Sequence, residues 1–344
     1  MQHARDSESS TSTPANTSEY FPICLRAYIR QQDEEQARKE GDDNGIWMSI
    51  GSSACWALDM GFSLSQRPGD AYAEQLHDQW YRYYQASKNT SASSAAQDRL
   101  AFQVVQIQAR GTLSRSTAGG DSEMAVTSDG TIWTDLPFFA SDMTDIWIKE
   151  CAGMSATHRT NFSCFLSKLA SVGLAKEKLC GVALVVFRDA LETPRPLDNL
   201  NSNCDENPDK VTADLSIADF LPAVGHWLGQ AGTKMIELSE VSWQDCTEEA
   251  MAIGILYRDD ASTTVKSAGF SSERWIYWLR RLEEITEEAN KIGNEKLAEA
   301  TTGLMDTMFL TLNQTHSTVR SEFEASPGVV KYRNPFIERF MSEM

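Results

Sequence analysis

The stretch Leu179-Cys-Gly-Val-Ala-Leu-Val-Val-Phe187 is apolar on every side. No face of it is suited to water, so the fold of this chain must enclose it completely. A buried strand would meet that requirement, and so would a buried helix. The Ala, Lys and Glu residues on either side, and the length of the run Lys176–Glu192, favour a central helix packed all round. Such a helix needs a shell of amphipathic partners.

The clearest partner is Gly269–Asn290, GFSSERWIYWLRRLEEITEEAN. Ser271 or Ser272 can cap its start by accepting from the free amides of the first turn. Trp275, Trp278, Leu279, Leu282 and Ile285 then recur at helical spacing, opposite Glu273, Arg280, Glu283, Glu284 and Glu287. At about 100° per residue, Arg274, Arg281 and Glu288 fall along one edge of that stripe, beside Trp278. Two arginines next to a tryptophan suit an anion or aromatic ligand. They equally suit core-covering stems whose heads pair with Glu284 and Glu288.

Further amphipathic helices are read over Glu19–Lys39, Asp70–Ser87, Ala95–Leu113, Trp133–Trp147, Thr157–Ser171, Ile217–Leu238 and Asn294–Glu324, with a short one in Trp243–Tyr257. Ile46–Leu64 reads as a further buried helix. Pro137 suits a helical first turn, and Ser216 with Asp219 forms a capping-box variant. Residues 114–130 read as a loop with a helical turn near Glu123–Val126. Thr193–Asp209 and Arg258–Gly269 read as loops, and Val329–Met344 as a docking tail. The sum is an all-α fold of roughly ten helices with no convincing strand pair. Residues 1–18 are too poor in apolar side chains to order themselves, which leaves 19–344 as a single domain.

Composition narrows the function. A formal net charge of −18, with no Lys/Arg run, excludes a nucleic-acid backbone as partner and disfavours anionic membranes. No window approaches the ~18 apolar residues of a membrane span. The seven scattered cysteines contain no CxxC pair, and the N-terminus has no apolar signal core. Free buried thiols in a reducing compartment, most simply the cytoplasm, are therefore expected.

No phosphate-binding glycine loop, nucleophile elbow or zinc helix motif occurs, and the histidines are far apart. Three groups could carry chemistry. Asp142 and Asp145 lie one turn apart and could share a Mg²⁺ ion, as in all-α enzymes that hold diphosphates; as solvated helix surface they would do nothing. Asp189 and Glu192 close the most buried helix, where acids oppose the macrodipole and need a cation, for which Arg274 and Arg281 are candidates. Such a pair is either a structural clamp or a catalytic acid with a shifted pKa. His226 and Trp227, with Trp278, are candidates for substrate contact, against the plainer reading of a half-buried histidine and core tryptophans.

The order of motifs carries a resemblance. Trp133-x-x-Leu136-Pro137-Phe138 with Trp147 comes first, then Asn161-x-x-x-Phe165-x-x-Lys168-Leu169. Phe187-Arg-Asp-Ala-Leu-Glu192 follows, then Leu221-Pro-Ala-x-x-x-Trp227-Leu-x-x-x-Gly232 and Arg274-Trp-x-x-Trp278-x-x-Arg281-Leu282. Across roughly residues 133–290 the chain resembles a fungal-restricted, all-helical family of unknown function, some of whose members are encoded in secondary-metabolite clusters such as an oxopyrrolidine cluster. The resemblance implies a fold and a biological setting and transfers no catalytic residue. Two functions follow as expectations. One is an accessory or scaffold protein that binds a protein partner or a small apolar metabolite. The other is a metal- or acid-assisted enzyme, like an isoprenoid or polyketide cyclase, that acts on a small apolar substrate, with Mg²⁺ as its metal.

Overall fold

In the computed structural model, residues 54–198, 206–261, 266–315 and 317–325 are described. The readings for residues 1–18, Glu19–Lys39 and Val329–Met344 lie outside them. Gly181–Phe187 is the enclosed helix (α6), and every one of its residues is buried. Burial of side chains such as Val182, Leu184, Val185, Val186 and Phe187 contributes about 1.5–3 kcal/mol each. A charge introduced at Val185, which is fully buried, would be taken out of water.

The helices before α6 are α1 (Ala54–Leu64), α2 (Ala73–Asn89), α3 (Ala95–Gln108), α4 (Phe139–Glu150) and α5 (Ala156–Ser171). After it come α7 (Ile217–Glu240), α8 (Glu248–Met251), α9 (Ile255–Asp259), α10 (Ser272–Lys291), α11 (Glu295–Gln314) and α12 (Thr318–Ala325). The described residues are mostly helical, at 68%. Neighbours pack in the series α2, α5, α7, α11, α10, while α4, α7 and α8 close on α6. The starts of several helices follow from their first residues. Ser155, Ser271 and Asn294 accept from His158, Arg274 and Leu297 amides, and Ser216 with Asp219 forms the reciprocal box. Each such cap is worth about 1 kcal/mol. No described helix is long and apolar enough to cross a membrane.

Several expectations need correction. Residues 114–131 hold two small antiparallel ladders, Ser114–Ser116 with Ser122–Met124 and Val126–Thr127 with Gly130–Thr131. They are too short to show alternation in sequence. Cross-strand Arg115 and Glu123 pair, and Arg115 also donates to the Ser65 and Arg67 carbonyls at 2.7 and 2.8 Å, tying the ladder to the end of α1. The long C-terminal helix breaks between Gln314 and Thr318, and Trp243–Tyr257 contains α8 and the start of α9. The described part of Ile46–Leu64 is not buried all round: Trp56 and Leu64 are 64% and 78% exposed. The central run Lys176–Glu192 is not one α-helix. A left-handed turn over Ala175–Glu177 precedes α6, and a π-helical turn, Arg188–Glu192, follows it.

Cys55, Cys151, Cys164 and Cys180 are free and buried, and Cys246 is free and partly covered. Burial pushes the Cys151 and Cys180 thiols up to about 12, so both are inert as nucleophiles near neutrality.

Candidate functional site

The π turn closes α6 with Glu192, whose side chain is 0% exposed, as is that of Arg274 on α10. Arg274 Nε donates to Glu192 Oε1 at 2.6 Å and Nη2 donates to Oε2 at 3.1 Å. One turn further along α10, Trp278 Nε1 donates to Oε1 at 2.7 Å. The i, i+4 spacing of Arg274 and Trp278 is what aims both donors at one carboxylate. The Gly254 amide supplies a fourth hydrogen bond, to Oε2 at 2.8 Å. A Cβ at Gly254 would lie 2.4 Å from the Glu192 carbonyl oxygen, so only glycine brings that amide close enough.

The guanidinium is equally occupied. Nη1 donates to the Gly269 and Met251 carbonyls at 2.9 and 3.4 Å, and Nη2 also donates to Ala252 O at 3.1 Å. Gly269 has φ +77°, and a Cβ there would lie 2.4 Å from Trp243 O. Phe187 covers the Trp278 ring at 4.6 Å between centroids. A carboxylate has about four lone-pair sites and an arginine five N–H groups, and here all are engaged. The arrangement therefore clamps the end of α6, the 251–254 segment, Gly269 and α10 to one point. It has no donor or acceptor left for a substrate.

The other sequence candidates do not join this cluster. Arg281 Nη1 pairs with Glu284 at 2.9 Å and lies 3.8 Å from Glu288, at the edge of α10, with 15% of its side chain exposed. Asp189 faces Arg188 Nε at 3.5 Å. Burial pushes the Asp189 carboxyl up, and the charges of Arg188 and Arg195 partly oppose this. Arg195 itself is held by the Asp189, Thr212 and Leu215 carbonyls.

Asp142 and Asp145 do share a helix, but each is engaged elsewhere. Asp142 Oδ2 lies 2.7 Å from His77 Nδ1 on α2, and the His77 ring stacks on Phe138 at 4.5 Å. Asp145, 52% exposed, pairs with Lys149 one turn on at 2.6 Å. Among the described residues, no group of three or more His, Cys, Asp or Glu side chains is arranged to hold a metal ion. Mg²⁺ demands several oxygen ligands in near-octahedral order, which a half-exposed aspartate and its histidine-bound neighbour do not supply.

Trp227 is fully buried on α7, with no hydrogen-bond partner for its indole N–H. His226 is half-buried beside it; burial, then the charge of Lys168, lowers its pKa. Trp278 belongs to the clamp, where its indole donates to Glu192. Sequence reasoning missed the donor role of Trp278, which its spacing from Arg274 could have signalled. It also missed His77 as the partner of Asp142, for which no local signal exists.

A family described as "Protein of unknown function (DUF3632)" matches residues 80–282, a span that contains the whole clamp. The chain is 32% identical over 333 residues to the oxopyrrolidines biosynthesis cluster protein G of Penicillium oxalicum. That match covers 96% of this chain and 92% of the relative. No solved structure matches the chain.

Proposed function

The chain belongs to that family of unknown function, and from this membership we propose an accessory role in fungal secondary-metabolite biosynthesis, exercised by binding rather than by catalysis at its buried charges. The observation that carries the reading is the near full-length relative, whose name ties it to an oxopyrrolidine cluster. The geometry supports the non-catalytic half: Glu192 and Arg274 are saturated by each other, by Trp278 and by backbone. Asp142 and Asp145 are held by His77 and Lys149. Its partner on this reading is another protein of the pathway or a small apolar metabolite, met in the cytoplasm, where free thiols persist.

Deleting the gene and profiling metabolites tests the reading. Loss of an accessory protein lowers the yield of the end product without build-up of one precursor, and a gene carrying Asp142→Asn and Asp145→Asn restores that yield. Accumulation of a single precursor would instead support the metal- or acid-assisted enzyme, and failure of the double variant to complement while folding normally would point to its Mg²⁺-assisted form. An unchanged profile would remove the pathway role altogether.

A further inference from the structure

Seven non-glycine residues of the described chain have positive φ, and six of them fall in two short segments. Trp133, Leu136 and Phe138, at 69°, 50° and 65°, lie just before α4. Ala175, Lys176 and Glu177, at 54°, 56° and 64°, make the left-handed turn before α6. These segments are distant in sequence, yet Lys176 Nζ meets Asp135 Oδ1 at 2.8 Å. The second oxygen of Asp135 accepts from the Thr131 amide at 2.8 Å.

Left-handed backbone is unfavourable for every L-residue with a Cβ. Leu174-Ala-Lys-Glu-Lys-Leu179 is moreover a run of good right-handed helix formers. Local preference and observed conformation therefore conflict, and they conflict twice at one junction. Strain concentrated in this way is characteristic of switch regions, where the surroundings hold a segment against its own preference. Buried Leu174, Ala175 and Leu179 anchor the turn from inside. Its outer ties are Lys176, with 71% of the side chain exposed, and the looser approach of Glu177 to Lys234 on α7 at 4.0 Å.

We propose that this junction is a two-state conformational switch that sets the length of the central helix. In the closed state Asp135 and Lys176 join the two segments and Ala175–Glu177 is left-handed. In the open state the pair parts and the turn rewinds right-handed, extending α6 towards its N-terminus through Ala175, by roughly 9 Å at 1.5 Å per residue. The segment 133–138 then loses its tie to the turn before α6, while Trp133 still donates to Asp59 and Pro137 O still accepts from Trp80. Because His77 stacks on Phe138 and bonds Asp142, opening is felt in the seam between α2 and α4. An exposed ion pair is a weak contact, so it biases the two states rather than locking one. An anionic group on a partner can compete with Asp135 for the accessible Lys176.

Hydrogen exchange and NMR-derived φ on the full chain test this with Lys176→Gln, Glu177→Gly and the double variant. Glycine adopts positive φ without penalty, so Glu177→Gly favours the closed state. Lys176→Gln is expected to speed exchange at residues 131–139 about five-fold, the factor that ~1 kcal/mol represents, and to move φ at Ala175 from positive towards negative. Glu177→Gly slows the same amides, and the double variant returns towards the parent. Acceleration spread over the whole chain, no acceleration, or faster exchange in Glu177→Gly would each overturn the switch. The last is what a glycine in a right-handed turn would cause.

Discussion

At its C-terminal end α6 is gripped by two ions that never meet water; at its N-terminal end the tie is an ion pair that stands in it. Both contacts join a carboxylate to a cation at hydrogen-bond distance, 2.6 Å for Glu192–Arg274 and 2.8 Å for Asp135–Lys176. They differ in surroundings. Both oxygens of the Glu192 carboxylate and all the N–H groups of the Arg274 guanidinium are matched by protein, so the low dielectric strengthens the contact and punishes the loss of either partner. Around Lys176 water screens the charge, and the contact can only tilt a balance. The same chemistry therefore builds a fixed point at one end of the helix and an adjustable one at the other.

The comparison can be broken hardest at the fixed end. Glu192→Gln leaves the Arg274 guanidinium buried without a counter-charge and is expected to lower stability by ~3–5 kcal/mol, read from urea unfolding. The double variant Glu192→Leu, Arg274→Met should recover part of that loss, because it buries no lone ion. If the double variant is as unstable as the sum of the singles, the clamp is not a coupled unit. Trp278→Phe keeps a ring against Phe187 but removes one donor to Glu192, and should lose ~1–3 kcal/mol in the same assay.

Effects of pH sharpen the contrast through their opposite signs. The hydrogen bond from Lys176, then that from the Thr131 amide, holds the Asp135 carboxyl below its ordinary value. Its stabilisation is therefore present above the unfolded pKa, about 3.9, and is lost as pH falls through the folded value. Asp135→Asn should flatten the acid limb of a plot of Tm against pH. Burial pushes Asp189 the other way. The stability linked to its protonation is complete below the unfolded pKa and disappears as pH rises through the folded value. Asp189→Asn should thus raise Tm at pH 7 relative to acid pH; a variant less stable at pH 7 would mean that Arg188 and Arg195 outweigh burial. Asp145→Asn, at the exposed extreme, should change stability by no more than ~0.5 kcal/mol, and a larger loss would show that Asp145 has a role beyond its bond to Lys149.

The legible part of the fold was local. The stripe of Trp275, Trp278, Leu282 and Ile285, the Ser271 cap and the Ser216–Asp219 box all lie within one or two turns, where spacing alone reports the face a residue occupies. The strands at 114–131 were not legible, because two or three residues carry no period. The left-handed turn was illegible for a stronger reason: Ala, Lys and Glu prefer the opposite hand, and tertiary packing overrides them. At the site, the need of Glu192 for a cation could be read from its place at the end of an apolar helix. Arg274 and Arg281 were both legible as candidates for that cation, but the choice between them was not, since 82 residues separate Glu192 from Arg274.

The apolar run Leu179–Phe187 demanded a shell of helices, and the periodicity of the rest supplied one. Those conclusions follow from neighbours along the chain, because the hydrophobic effect acts on each face of a helix as it forms. The roles of Glu192, Asp142, Asp145 and Lys176 did not follow, because a charge takes its energy from whatever covers it and answers it. Only when the 251–254 segment and α10 close over the end of α6 does one of these carboxylates become a dry fixed point, while the others stay within reach of water.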